Sequence, residues 1–173
     1  MQEAELKQTD NGKVAAGEGW YTLHASEAEW YRSERFGTLC RFEGDARFPE
    51  LGINLRVLEP GQPACLYHRE SAQEDFFVVS GECTLIVEGE ERPLRAGHFV
   101  HCPADTLHVF VGAGDGPCAI IAVGARPQEH TLWYPVDETA ARHDASASAA
   151  TDNPAEAYAG AERGPTQAVW PLP

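Results

Sequence analysis

Apolar and polar positions alternate in short runs from Gly52 to Val123, and turn-forming residues separate the runs. GINLRVL, ACLYH, DFFVV, CTLIVE, FVHC, LHVFV and CAIIAV are predicted strands. PGQP, SGE, EGEE, RAGH, PADT and GAGDGP fall between them, supplying the glycine and proline that turns require, and GAGDGP reads as a hairpin loop. Nothing in this span has helical period, so the pattern predicts an all-β sandwich or antiparallel β-barrel.

The flanks carry different signals. SEAEWYRSE (Ser26 to Glu34) offers a serine cap with a glutamate three residues later, which predicts a short helix ahead of a strand pair in RFGTLCRFEG. Asp137 to Ala141 is expected to form one or two helical turns. From Ser146 to Pro173 the composition predicts little independent structure, except that Trp170 in VWPLP marks a segment expected to dock on its own domain or a neighbouring subunit. The resulting division is a polar N-terminal tail over 1–19, a β-barrel with its N-terminal strands over 20–135, and a short helix with an extended, docking C-terminal tail over 136–173.

Composition bounds the function. A chain of 173 residues with 43% hydrophobic content supports one core. With 27 acids against 13 lysines and arginines, the formal charge of -14 argues against nucleic acid and anionic membrane surfaces as partners. The polar start and the lack of an apolar run of spanning length predict a soluble, cytoplasmic protein. The five cysteines, Cys40, Cys65, Cys83, Cys102 and Cys118, sit singly in apolar segments and read as small buried side chains.

Strand periodicity gives the polar groups their faces. It places Ala64, Leu66, His68 and Glu70 on one side and Cys65, Tyr67 and Arg69 on the other. Glu74 goes with Phe76 and Val78, and His108 with Thr106 and Phe110. If Leu66 faces inward, so do an imidazole and a carboxylate, and burying such groups unpaired costs several kcal/mol, on the order of 2–7. A divalent metal ion satisfies two histidines and two carboxylates directly. Buried histidines hydrogen-bonded to acids, or an exposed loop of charges, fit periodicity alone equally well.

Spacing separates these readings. The anchors Gly61, His68, Glu70, Glu74 and Gly81, then Gly97, Pro103 and His108, resemble the two motifs of the cupins, G-x5-H-x-H-x(3,4)-E-x6-G and G-x5-P-x-G-x2-H-x3-N. The motifs span Gly61 to Gly112, and the likeness extends more loosely from Gly52 to Val123. Glu70 replaces the second histidine, one extra residue follows Gly61, Asp105 stands where glycine is usual, and Gly112 replaces asparagine. The resemblance implies a double-stranded β-helix (jelly-roll) and ligation of one divalent metal ion, Mn, Fe, Zn or Ni, by His68, Glu74 and His108. Glu70 is implied as a fourth ligand or, if it is not a ligand, as a base, and Glu74 as a base when it leaves the metal.

A small-molecule substrate is therefore expected, with isomerase- or dioxygenase-type chemistry. The alternative is a noncatalytic module that binds a sugar-like ligand or serves as a scaffold. Cupins commonly pair by exchanging edge strands, so a homodimer is expected, with FPELGINLRVL as edge material and Tyr67 and Arg69 on an outer, subunit-contacting face. His101 is expected to pack beside Phe99 and Gln73 to serve a turn. His24, His130 and His143 are expected in solvent.

Overall fold

The computed structural model describes residues 1–170 and Leu172. Fourteen strands follow in order: β1 (Glu5–Thr9), β2 (Gly12–Ala16), β3 (Trp30–Ser33), β4 (Gly37–Cys40), β5 (Leu51–Leu58), β6 (Arg69–Glu70), β7 (Glu74–Ser80), β8 (Glu82–Val87), β9 (Glu90–Arg95), β10 (Phe99–Cys102), β11 (His108–Ala113), β12 (Cys118–Ala125), β13 (Leu132–Trp133) and β14 (Gly164–Thr166). Two short helices, α1 (Glu138–Ala141) and α2 (Pro154–Ala157), lie between β13 and β14. Among the described residues, no helix is long and apolar enough to cross a membrane.

Seven strands form one antiparallel sheet in the order β10-β7-β12-β5-β4-β3-β14, and β11-β8-β9 form a second. The inner core joins them: Leu58, Phe76, Val78, Ile120 and Ala122 from the large sheet pack with Cys83, Leu85 and Phe110 from the small one. These packed antiparallel sheets are the all-β architecture that the alternation predicts, in the jelly-roll form that the cupin resemblance implies. The expected grouping of Glu74, Phe76 and Val78 holds, with Phe76 and Val78 buried and Phe77 and Val79 outside. Sheet geometry requires it, because successive side chains on a strand point to opposite faces.

Several expectations need correction. Residues 26–34 are not a helix: after a turn the chain enters β3, because Trp30 must bury its ring, which it does completely while its indole N–H donates to the Ala25 carbonyl at 2.9 Å. That burial outweighs the capping signal of Ser26 and Glu29. Residues 1–19 carry the β1-β2 hairpin. β5, expected as edge material, lies between β12 and β4 with both edges paired. GAGDGP does not close a hairpin; it carries the chain from β11 in the small sheet to β12 in the large one.

Tyr67 is not on an outer face. The chain bends between Ala64 and His68, so strict alternation fails, and Tyr67 packs with Ile86, Val109 and Val111. Its hydroxyl accepts the Gly89 N–H at 2.9 Å. Arg69 is exposed and pairs with Asp105. α1 forms where expected, with the Asp137 carboxylate capping the Ala140 N–H.

The C-terminal segment is more structured than its composition predicts. α2 and β14 form within it, and β14 pairs with β3. Trp170 docks on its own chain, edge-on to His24 with ring centroids 5.0 Å apart.

Candidate metal centre

His68, Glu74 and His108 arrive on three different segments. Their ligand atoms lie within 4.8 Å of one another. The register of β7 turns Glu74 inward with Phe76, and β11 brings in His108 with Phe110. His68 comes from the bend before β6, where its backbone pairs with that of His108.

Each imidazole is held from behind. His68 Nδ1 donates to the Leu66 carbonyl at 2.8 Å and His108 Nδ1 to the Thr106 carbonyl at 3.0 Å. A carbonyl only accepts, so it keeps the proton on Nδ1 and leaves the Nε2 lone pair of a neutral ring free. Tyr134 stacks on His68 with centroids 5.5 Å apart, fixing the ring plane.

The carboxylate decides what the site fits. His108 Nε2 lies 3.1 Å from Glu74 Oε2, and that buried oxygen has no hydrogen-bond partner among the described residues. With Nδ1 protonated, the two facing atoms both carry lone pairs, and only a shared proton or a cation relieves them. Desolvation lowers the pKa of His68, favouring neutral imidazole. The donor set of two imidazoles and one carboxylate therefore fits a divalent transition metal.

Glu70 lies outside that three-residue set. Burial pushes its carboxyl up, and the adjacent Glu74 carboxyl pushes it further. Burial also acts to raise Glu74, but the adjacent His108 imidazole and Glu70 carboxyl outweigh it and hold it low. Of the two neighbours, Glu70 carries the proton and Glu74 the charge. Glu70 Oε2 also makes a short hydrogen bond to His130 Nε2.

His101 is exposed and bonds Asp75 at 2.6 Å, so it shares a face with Phe99 as expected but is not packed. Gln73 donates to Asp75 at 2.6 Å. His24 and His130 are exposed, and half-buried His143 bonds Glu91. Sequence reasoning missed the partnership of His130 with Glu70, which the short β13-β6 pairing creates. It also missed Asn54, Arg56 and Tyr158, which share a cavity of about 220 Å³ with the histidines and glutamates. The alternation of Asn54 and Arg56 with Leu55 and Val57 along β5 was the available signal.

Backbone geometry explains two of the departures from the motif. Asp105 adopts φ +68°, a conformation that aspartate tolerates better than most residues. At Gly112, a Cβ would lie 2.2 Å from the Glu59 carbonyl oxygen, so asparagine could not stand there.

The "Cupin domain" family model matches residues 54–124. These residues form a cupin domain within the chain. A sugar phosphate isomerase of the cupin superfamily from Silicibacter pomeroyi is 28% identical to this chain, with a TM-score of 0.51 over 66% of this chain and 74% of that one. The polyketide cyclase RemF from Streptomyces resistomycificus superposes with a TM-score of 0.55 over 65% of this chain and 84% of that one, at 12% identity, and shows the fold alone. Over 63 residues, 36% of its length, the chain is 30% identical to polyketide synthase CurC of Streptomyces cyaneus. The match spans 41% of that curated relative's length.

Proposed function

We propose that this cupin is a metal-dependent enzyme that moves a proton beside a carbonyl group of a small organic molecule, an isomerase-type reaction. The observation that carries the reading is the pairing of a buried, partnerless Glu74 oxygen with His108 Nε2 at 3.1 Å, next to a second carboxyl that keeps its proton. His68, Glu74 and His108 would hold the ion, whether manganese, ferrous iron, zinc or nickel, and bound there it would polarise a substrate carbonyl as a Lewis acid.

The chain's own residues supply the proton chemistry. Glu70 presents a protonated carboxyl to the cavity, and His130 connects it to the surface, giving a general acid–base with a route to solvent. Proton transfer of this kind is the central step of an isomerase. The 28% identity to a sugar phosphate isomerase supports the same choice. Glu70 therefore serves as acid–base and not as fourth ligand.

Elemental analysis of protein from metal-replete medium tests the centre. The wild type should carry stoichiometric metal, and His68→Ala and His108→Ala should each lose it. NMR in D2O with small hydroxy-carbonyl compounds tests the chemistry: deuterium should enter beside the carbonyl with the wild type and not with metal-loaded Glu70→Gln. Saturable binding without exchange would favour a noncatalytic binding module instead.

We also propose that two chains associate. Phe99, Phe77 and Ile121 are 64%, 42% and 37% exposed and stand opposite one another across β10, β7 and β12. A two-fold pairing of this outer face would cover the row with its own copy.

A further inference from the structure

Beside the metal centre the large sheet continues into a second cavity, about 710 Å³ in volume. The sheet register runs Tyr31 to Leu39 to Arg56 and then to Ile120, and Asn54 and Arg56 line both cavities. The larger one also receives Arg41, next to the end of β4, and Arg163, next to the start of β14. In a chain with 13 basic residues and a charge of -14, this concentration of guanidinium groups needs a cause.

Acids in the wall do not provide it. Glu29 accepts from the Thr9 and Tyr31 hydroxyls at 2.7 and 2.9 Å. Glu43 is taken by Arg126 at 2.7 and 2.8 Å, and Asp45 faces Lys7 at 3.4 Å. Among the described residues, no carboxylate lies within ion-pair distance of Arg41, Arg56 or Arg163. Arg56 spends one N–H on the Ala64 carbonyl, at 2.6 Å, which fixes its guanidinium at the boundary between the cavities. Partial desolvation and then the nearby charges of Arg56 and Arg41 draw the pKa of Arg163 down, the latter being the direction expected of like charges gathered without a counterion.

We propose that Arg41, Arg56 and Arg163 form a subsite for a dianionic oxyanion group, a phosphoryl group, on the molecule that reaches the metal centre. Guanidinium forks match the oxygens of such a group in pairs, and three of them leave a dianion better compensated than a single carboxylate would. Arg56 would be the hinge of recognition, since it borders the ion-holding cavity on one side and the anion cavity on the other. The proposal rests on the enzymatic reading above only in taking the anion to be part of the substrate.

Calorimetric titration of the full-length, metal-free protein with inorganic phosphate at constant ionic strength tests the subsite alone. Saturable binding is expected in the wild type and unchanged in His108→Ala, which removes the metal site. Arg41→Gln and Arg163→Gln, both surface substitutions that leave the folded core intact, should each weaken phosphate by about tenfold or more while the metal content of replete protein stays at the wild-type level. Undiminished phosphate binding in the Arg41→Gln/Arg163→Gln double variant would overturn the subsite, as would no binding to the wild type. Acetate competing as well as phosphate would overturn its assignment to a dianion. Loss of metal in His108→Ala with phosphate retained keeps the subsite standing, whereas metal retained there overturns the metal reading alone.

Discussion

His68 and His108 hold each other's backbones: the His68 N–H donates to the His108 carbonyl at 3.2 Å, and the His108 N–H donates to the His68 carbonyl at 2.9 Å. This isolated antiparallel bridge sets the two rings 5.1 Å apart, centroid to centroid, before any ion is considered. Ring position is thus a property of the backbone, and ring orientation of the carbonyls behind it. A preorganised donor set needs little rearrangement to bind.

Glu74→Gln should accordingly keep the fold and lose the ion. The amide matches the carboxylate in shape but removes the one charge in the three-residue set. Metal affinity should fall by at least about tenfold, on the scale of ligand-shell substitutions. Competition with a fluorescent chelator measures it, and circular dichroism should stay at the wild-type signal.

Glu43 and Arg126 tie the segment before β5 to the end of β12. Hydrogen bonding to Arg126 is the main cause that holds the Glu43 carboxyl below the usual carboxylate range, and only 9% of its side chain is exposed. A depressed folded-state pKa gives stability that is complete above the unfolded value and is lost as pH falls through the folded one. Glu43→Gln should therefore cost about 1.5–3 kcal/mol at neutral pH. The gap from wild type should close as pH drops below the ordinary glutamate range, read by urea denaturation at stepped pH.

Tyr67→Phe removes only the hydroxyl that accepts the Gly89 N–H. It should destabilise by about 1 kcal/mol without changing metal content. An equal thermal midpoint in the two proteins would contradict the hydrogen bond assigned to this hydroxyl.

Tyr158 wedges between Phe36 and Tyr134, and its hydroxyl accepts the Leu66 N–H at 3.1 Å. Tyr158→Ala should cost about 2–3 kcal/mol, the low end for truncating a large packed side chain because this one is half-buried. Faster proteolysis within residues 150–170 should accompany the loss.

Light scattering should give the mass of two chains, and Phe77→Asp with Phe99→Asp should give one. Both residues are on the exposed face, so the substitutions test association without disturbing the core.

What could be read in advance follows from distance along the chain. β7, β8, β11 and β12 are half-buried strands whose alternation is local, and the ligand-type residues sit at fixed offsets from glycines and a proline. Trp30 defeated the helix signal because its burial depends on β4 and β5, neither of which lies within a helical turn of it. Tyr67 defeated the alternation because a bend precedes β6. His130 meets Glu70 across 60 residues, and Arg41, Arg56 and Arg163 meet only through sheet order, so no window of sequence contains either group.

β14 closes the far edge of the seven-stranded sheet and puts Arg163 beside β3, while Tyr158 sits just upstream. A chain stopped before Tyr158 still contains both histidines and Glu74 but has lost one wall of each cavity. On the proposed reading the ion's three ligands all lie upstream, whereas the anion cavity takes Arg163 from this stretch and Arg41 and Arg56 from the body of the sheet. Exchange of the C-terminal stretch alone would retune selectivity while leaving the inorganic chemistry where it is.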